Sequence, residues 1–266
     1  QYYRNRVNAG LHVINPEVLE LVGIDADSVG KVGVDGKPVK VDLDRQLLKP
    51  LAGTGKMFCY DSPEYVKDMG TPKRYYSVCK DCKEGRISAK NLENRQKAIF
   101  LDRDGTINKY VGFLRNIDDF ELIDGVAEAI RKINESGYLA IVVTNQSVIA
   151  RGEVSFEELE EIHNKMETLL GKEGVFLDDV FFCPHHPDKG YPEENPAYKI
   201  PCECRKPKTG LVEQAAEKYN IDLSASWMVG DTTIDIQTGI NAGMRTALVL
   251  TGEAGKDKKY DVTPDL

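Results

Sequence analysis

From residue 97 onward, short apolar runs alternate with stretches whose apolar residues recur at helical spacing. Lys97-Ala98-Ile99-Phe100-Leu101 is a β-branched and aromatic run and predicts a strand over 97–102. Val126, Ala129, Ile130 and Ile133 share one helical face, and Gly137 is a stop signal, so a helix follows. Tyr138 to Thr144 is continuously apolar, as in a strand buried on both faces. Ser155-Phe156-Glu157-Glu158 is a capped, acidic start for a helix reaching Leu170. A strand over 179–182, a helix over 209–219 and strands over 227–231 and 246–250 complete the pattern. This succession predicts the α/β class: a doubly wound parallel sheet with helices on both faces.

Residues 1–76 are patterned differently, with many short segments and frequent Gly and Pro. Val7 to Val13 reads as a strand and Pro16 to Val22 as a short helix, giving a small α+β segment. So short a segment buries little surface and is not expected to complete a core alone. Residues 77–96 are polar, without strand or core pattern, and read as a partly helical linker into a domain spanning 97–266.

Composition changes this picture little. A net charge of −8 over 266 residues argues against a nucleic-acid surface. No run approaches the ~18 apolar residues of a membrane span, and the first residues carry no charged-then-apolar leader pattern. The expectation is a cytoplasmic chain with a small-molecule substrate.

The chemistry is concentrated where the apolar runs stop. Asp102-Arg103-Asp104-Gly105-Thr106 sets two carboxylates at one strand end, a pair that repels unless a cation or a shared proton intervenes. Thr144-Asn145-Gln146 follows the next strand, Arg205-Lys206-Pro207-Lys208-Thr209-Gly210 precedes a helix, and Gly230-Asp231-Thr232-Thr233-Ile234-Asp235 closes a later strand. In a parallel sheet these carboxyl ends share one crevice. Two strand-end acids and Asp231 supply oxygen ligands for Mg²⁺. A threonine hydroxyl and a lysine ammonium neutralise a phosphate. One aspartate is suited to attack phosphorus and a second to protonate the leaving oxygen.

Of the six cysteines, Cys183, Cys202 and Cys204 cluster around His185. Three thiolates and one imidazole form a closed tetrahedral set, so a structural Zn²⁺ held by Cys183, His185, Cys202 and Cys204 is expected, with His186 spare. The Cys79-x-x-Cys82 pair has no second pair nearby, and His12 and His163 have no partners in sequence. These read as structural or solvated.

The four strand-end motifs resemble those of the haloacid dehalogenase superfamily of aspartate-nucleophile phosphatases, over residues 97–252. The resemblance implies that Asp102 is the nucleophile, Asp104 the general acid/base, and Thr144 and Lys206 the phosphate ligands. It also implies Mg²⁺ held by Asp102, the main-chain carbonyl of Asp104 and Asp231, with Asp235 behind them. No large insertion follows Asp104 or Thr144, which implies that the superfamily's mobile cap domain is missing. The cysteine pattern, with Asn145-Gln146-Ser147 and Ile149-Ala150-Arg151-Gly152, is similar to the D-glycero-D-manno-heptose 1,7-bisphosphate 7-phosphatase and histidinol-phosphate phosphatase branch. That branch often carries Gly where Val148 stands here. Asn145, Arg151 and Arg205 are the candidate contacts to a sugar and a second phosphate.

The first 76 residues resemble the C-terminal half of sugar-1-phosphate nucleotidyltransferases. The likeness lies in Asn8-Ala9-Gly10-Leu11, Leu43 to Leu51 and Lys67-Asp68-Met69-Gly70-Thr71-Pro72. The nucleotide-binding loop and partner acid of that family do not occur in this chain. The resemblance implies a nucleotidyltransferase portion in a longer chain, with Asp68 matching a metal-holding acid. Such a neighbour would activate a heptose 1-phosphate, which favours the heptose bisphosphate over histidinol phosphate as substrate.

Overall fold

The computed structural model describes residues 1–4 and 9–266. One compact unit lies within 9–62, and the other comprises 1–4 with 63–266.

In the first unit, α1 (Glu17–Leu21) is followed by a widened helical turn, Leu43–Leu48, that runs into α2 (Lys49–Leu51). Ile24, Leu47 and Leu51 are buried there against Val18, Leu19, Val22 and Val41. The only β feature among the described residues of this unit is an isolated bridge between Val32 and Pro38. Of the strand expected over 7–13, positions 7 and 8 lie outside the described residues, as does Asn8 of the Asn-Ala-Gly motif. The remainder is not a strand, and Leu11 and Val13 are fully exposed. Alternating apolar residues form a strand only within a sheet, and residues 9–13 belong to no strand of one.

In the second unit, Thr71 caps α3 (Pro72–Lys83) by accepting from Arg74 N, and Pro72 occupies the first turn, where a missing N–H costs nothing. α4 (Arg86–Ala89) follows, so two helices occupy much of the stretch from 72 to 96. Asp68 is ion-paired with Arg74.

The rest of this unit is a five-stranded parallel sheet in the order β3-β2-β1-β4-β5. β1 is Ala98–Leu101, β2 Leu139–Asn145, β3 Asp179–Cys183, β4 Trp227–Gly230 and β5 Arg245–Leu248. Between them run α5 (Val126–Ser136), α6 (Phe156–Lys172), α7 (Gly210–Tyr219) and α8 (Thr233–Asn241). The doubly wound α/β expectation holds, and its strand and helix limits shift by only a few residues.

Successive side chains of β1 and β2 point to opposite faces and build two cores. Ala98, Phe100, Leu139, Ile141 and Val143 pack with Leu211, Val212, Ala215 and Tyr219 of α7. Leu101, Ala140 and Val142 pack with Ile130 of α5 and with Ile162, Met166 and Leu170 of α6. Emptying one large site, as in Phe100→Ala, costs about 3–5 kcal/mol. β1 lies centrally, with β2 on one side and β4 on the other, so the chain reverses its direction of travel across the sheet there. That reversal opens a crevice at the carboxyl end of β1. No described helix is long and apolar enough to cross a membrane.

Candidate active site

A cavity of about 380 Å³ occupies this crevice. Asp102 and Asp104 after β1, Thr144 and Asn145 ending β2, Arg205 and Lys206 before α7, and Asp231 and Asp235 after β4 all line it. The four motifs separated in sequence thus meet in one place.

Lys206 is the electrostatic centre. Its buried ammonium lies 2.9 Å from Asp102 Oδ1 and 2.5 Å from Asp235 Oδ1. Burial alone would lower its pKa, but the charges of Asp102 and Asp235 reverse this and raise it, so the lysine stays cationic. Asp235 is held in turn by Thr232, whose N–H (3.1 Å) and hydroxyl (2.6 Å) donate to Oδ2. Asn145 clamps the lysine loop: its Nδ2 donates to Lys206 O and its Oδ1 accepts from Lys206 N. The amide expected to meet a sugar is therefore engaged with the main chain of Lys206.

Asp104 is turned onto Arg103, a side chain with no solvent exposure. Arg103 Nη2 donates to both Asp104 oxygens, at 2.9 and 2.8 Å, and Asn108 Nδ2 and Gln146 Nε2 add two more bonds. Burial raises the Asp104 pKa, but the Arg103 charge and these donors outweigh it and hold the carboxyl below the usual range. Asp102 behaves oppositely. Burial, opposed by Lys206 and reinforced by Asp235 and Asp104, pushes it up to about 6. Burial likewise lifts Asp231 to about 7, against a bond from Glu253 N–H and with help from Asp102 and Asp235.

These raised carboxyls mark a place for positive charge. Asp231 Oδ1 is buried without a hydrogen-bond partner, and Asp102, Asp231 and Asp235 offer oxygens within 4.8 Å of one another. Asp235 spends both of its oxygens on Lys206 and Thr232, which leaves Asp102 and Asp231 to meet a cation. A hard divalent ion fits this set. The backbone is shaped around Asp231: Gly105 (φ +82°) and Gly252 (φ +57°) both approach its carboxylate so closely that a Cβ would collide with it.

A second cluster lies nearby. Cys183 at the end of β3 meets Cys202 at 3.6 Å and Cys204 at 3.0 Å, and His185 Nδ1 is 3.3 Å from Cys204 Sγ. A tetrahedral zinc site with Zn–S near 2.3 Å has ligand separations of roughly 3.7 Å, so the set fits after small adjustment. His186 is outside it, its Nδ1 accepting from Asp188 N. Arg205 joins the two centres, donating to His185 O at 3.2 Å while it lines the cavity.

Arg151 is placed differently from expectation. It does not line the cavity but lies stacked 3.6 Å over the Phe113 ring and 4.4 Å from the Tyr191 ring, with Nε buried and unpaired. Phe113 is the cavity wall, so Arg151 supports it from behind. Val148 is buried with Ile149, Val154 and Leu159 and has no positive φ, so a β-branched residue fits there without strain. Sequence reasoning passed over Arg103 and Asn108 and read His163 as structural or solvated. The one available signal was Arg103, a cation wedged between two acids directly after a buried strand.

Comparison with known proteins agrees with this geometry. Residues 203–266 match a family model described as HAD-hydrolase-like. The D-glycero-beta-D-manno-heptose-1,7-bisphosphate 7-phosphatase of Haemophilus ducreyi is 44% identical over 161 residues, which cover 60% of this chain and 86% of that protein. The Yersinia pestis protein of the same name is 46% identical over 157 residues, covering 59% and 81%. Among solved structures, the D,D-heptose 1,7-bisphosphate phosphatase of B. bronchiseptica, complexed with magnesium and phosphate, superposes with a TM-score of 0.53 at 35% identity. The match covers 60% of this chain and 83% of that one. A putative HAD-like phosphatase from Mesorhizobium loti gives 0.55 at 35% identity, covering 59% and 73%. The chain is a phosphatase, and it belongs to the D-glycero-beta-D-manno-heptose-1,7-bisphosphate 7-phosphatase family of the haloacid dehalogenase superfamily.

Proposed function

We propose that the chain removes the 7-phosphate of a D-glycero-D-manno-heptose 1,7-bisphosphate and leaves heptose 1-phosphate. The observation that carries this reading is the convergence of Asp102, Lys206 and Asp231 in one cavity whose wall includes Arg205, a cation beyond those needed for one phosphate. Asp102 attacks the phosphorus in line, forming an aspartyl-phosphate, and the bond from phosphorus to the sugar oxygen breaks. Asp104, ionised against Arg103 before substrate arrives, takes up a proton as the phosphate's negative charge enters the site and gives it to that oxygen, then takes one from the water that attacks the acyl-phosphate and restores Asp102 with release of phosphate. Lys206 and Thr144 hold the transferring phosphoryl group. Asp102, Asp231 and the main-chain carbonyl of Asp104 would hold Mg²⁺, which would supply charge neutralisation on that group. Zn²⁺ on Cys183, His185, Cys202 and Cys204 is structural and fixes the strand end and loop from which Arg205 projects. Arg205 grips the second phosphate as a planar fork, and Arg151 braces the Phe113 wall.

Purified protein should hydrolyse the heptose bisphosphate with a kcat/KM at least tenfold above that for histidinol phosphate, run side by side. The reverse order would sink the choice of substrate, and no phosphate release from either, with Mg²⁺ present, would sink the enzymatic reading.

A further inference from the structure

His163, on α6, is only 8% exposed. Its Nε2 lies 3.2 Å from Arg103 Nη1. A guanidinium carries donors alone, so the imidazole nitrogen that faces it is the unprotonated acceptor and the proton sits on Nδ1. Burial, with the Arg103 charge, keeps the ring neutral. The ring is wedged against Phe182 of β3, at 5.7 Å between centroids. Arg103 spends its other arm on Asp104 and on Gln146 Oε1 (3.0 Å), and Gln146 in turn donates to Thr144 Oγ1 at 2.9 Å.

We propose that His163 is a positioning residue for the Asp104 carboxyl, acting through the buried Arg103 guanidinium. The guanidinium is a rigid fork, so its orientation is set at both ends. Asp104 fixes one end and His163 the other. Without an acceptor at Nη1, the buried N–H group turns to find another, and the face presented to Asp104 turns with it. The neutral imidazole suits this task because it accepts a bond without adding a charge to a closed compartment. The inference rests on the reading of Asp104 as the group that exchanges a proton with the leaving oxygen.

Leaving-group dependence tests it, because a sugar alkoxide needs that proton and a nitrophenolate does not. Single-turnover cleavage of the heptose bisphosphate and the nitrophenol burst from p-nitrophenyl phosphate are compared for Asp104→Asn, His163→Leu and His163→Gln. A displaced proton donor should slow sugar-phosphate cleavage in His163→Leu by about 10–100-fold. The nitrophenol burst rate should change far less, and His163→Gln, whose amide oxygen can accept from Nη1, should recover most of the loss. Equal slowing of both substrates, or no recovery in a folded Gln variant, overturns the proposal. If Asp104→Asn is selective and His163→Leu is not, the positioning role falls while the acid role stands. If Asp104→Asn slows both equally, the acid role itself falls, and the proposal with it. Should His163→Leu not fold, His163→Phe, which fills the site without an acceptor for Nη1, is held to the same outcomes.

Discussion

Lys206 Nζ lies 2.9 Å from Asp102 Oδ1, and the same ammonium is shared with Asp235. One cation thus serves two buried acids. Lys206→Met leaves both carboxylates facing each other without compensation. It should lower kcat/KM by about 10²–10³-fold and destabilise the fold by about 3–5 kcal/mol. Phosphate-release kinetics and denaturant unfolding check the two parts. Loss of activity at unchanged stability would contradict a structural role for the ion triad.

Gly252 gives a test of the metal-facing carboxylate. Its positive φ and its approach to Asp231 leave no room for a side chain, because a Cβ would collide with Asp231 Oδ2 and with Gly105 Cα. Gly252→Ala should therefore displace Asp231 while sparing the sheet, and raise the Mg²⁺ concentration for half-maximal activity by about tenfold or more. Titration of activity against Mg²⁺ measures it, and an unchanged midpoint would show that Asp231 does not depend on this approach.

Much of this was legible in the sequence, because the sheet is buried on both faces and its strands read as continuous apolar runs. Tyr138 to Thr144 is the clearest case, matching β2 at Leu139–Asn145. The site residues were legible for a related reason: the acids and Thr144 stand where such runs end, and Lys206 stands just before a helix. What escaped depends on side-chain direction. Arg151 carries the charge expected of a phosphate ligand, yet Phe113 and Tyr191, from two distant loops, enclose it as a stack. His163 lies on the buried stripe of an amphipathic helix, and only the tertiary packing of α6 brings it to Arg103 and Phe182. Of the strand expected over 7–13, the described residues 9–13 form no strand, and alternation alone could not show that.

The arginine stack predicts its own phenotype. Arg151→Ala removes two cation–π contacts and leaves Phe113 with only the more distant Arg115, 5.7 Å from its ring centroid, at a cost of about 1–2 kcal/mol in stability. Because Phe113 is a wall common to all substrates, KM should rise alike for the heptose bisphosphate and for p-nitrophenyl phosphate. A rise confined to the bisphosphate would instead make Arg151 a direct phosphate ligand through its unpaired Nε.

Metal analysis of protein purified without chelator should find about one equivalent of zinc per chain, lost in Cys202→Ser. Cys183, Cys202 and Cys204 cannot all remain neutral thiols around the metal, and burial with the Cys204 contact pushes the Cys183 thiol up, so the cation supplies the missing stabilisation of its thiolate. The variant should show a lower Tm and a raised KM, since Arg205 is tied to His185 O. A zinc-free wild-type protein with full stability would remove the structural role.

His163 also predicts how stability varies with pH. Burial first, and then the Arg103 charge, depress its pKa from 6.5 to about 3. Between these values the unfolded chain binds a proton that the folded chain does not. Stability due to this group is therefore complete above pH 6.5 and declines as pH falls toward 3. At pH 5 the loss amounts to about 2 kcal/mol, since each pH unit below 6.5 costs about 1.4 kcal/mol. Glutamine does not titrate, so His163→Gln escapes this loss. The stability difference between wild type and His163→Gln, measured by denaturant unfolding from pH 7 to pH 5, should shift by that amount in favour of the variant. A constant difference across this range would mean that His163 is protonated with ease, and a charged imidazole cannot accept a bond from Arg103.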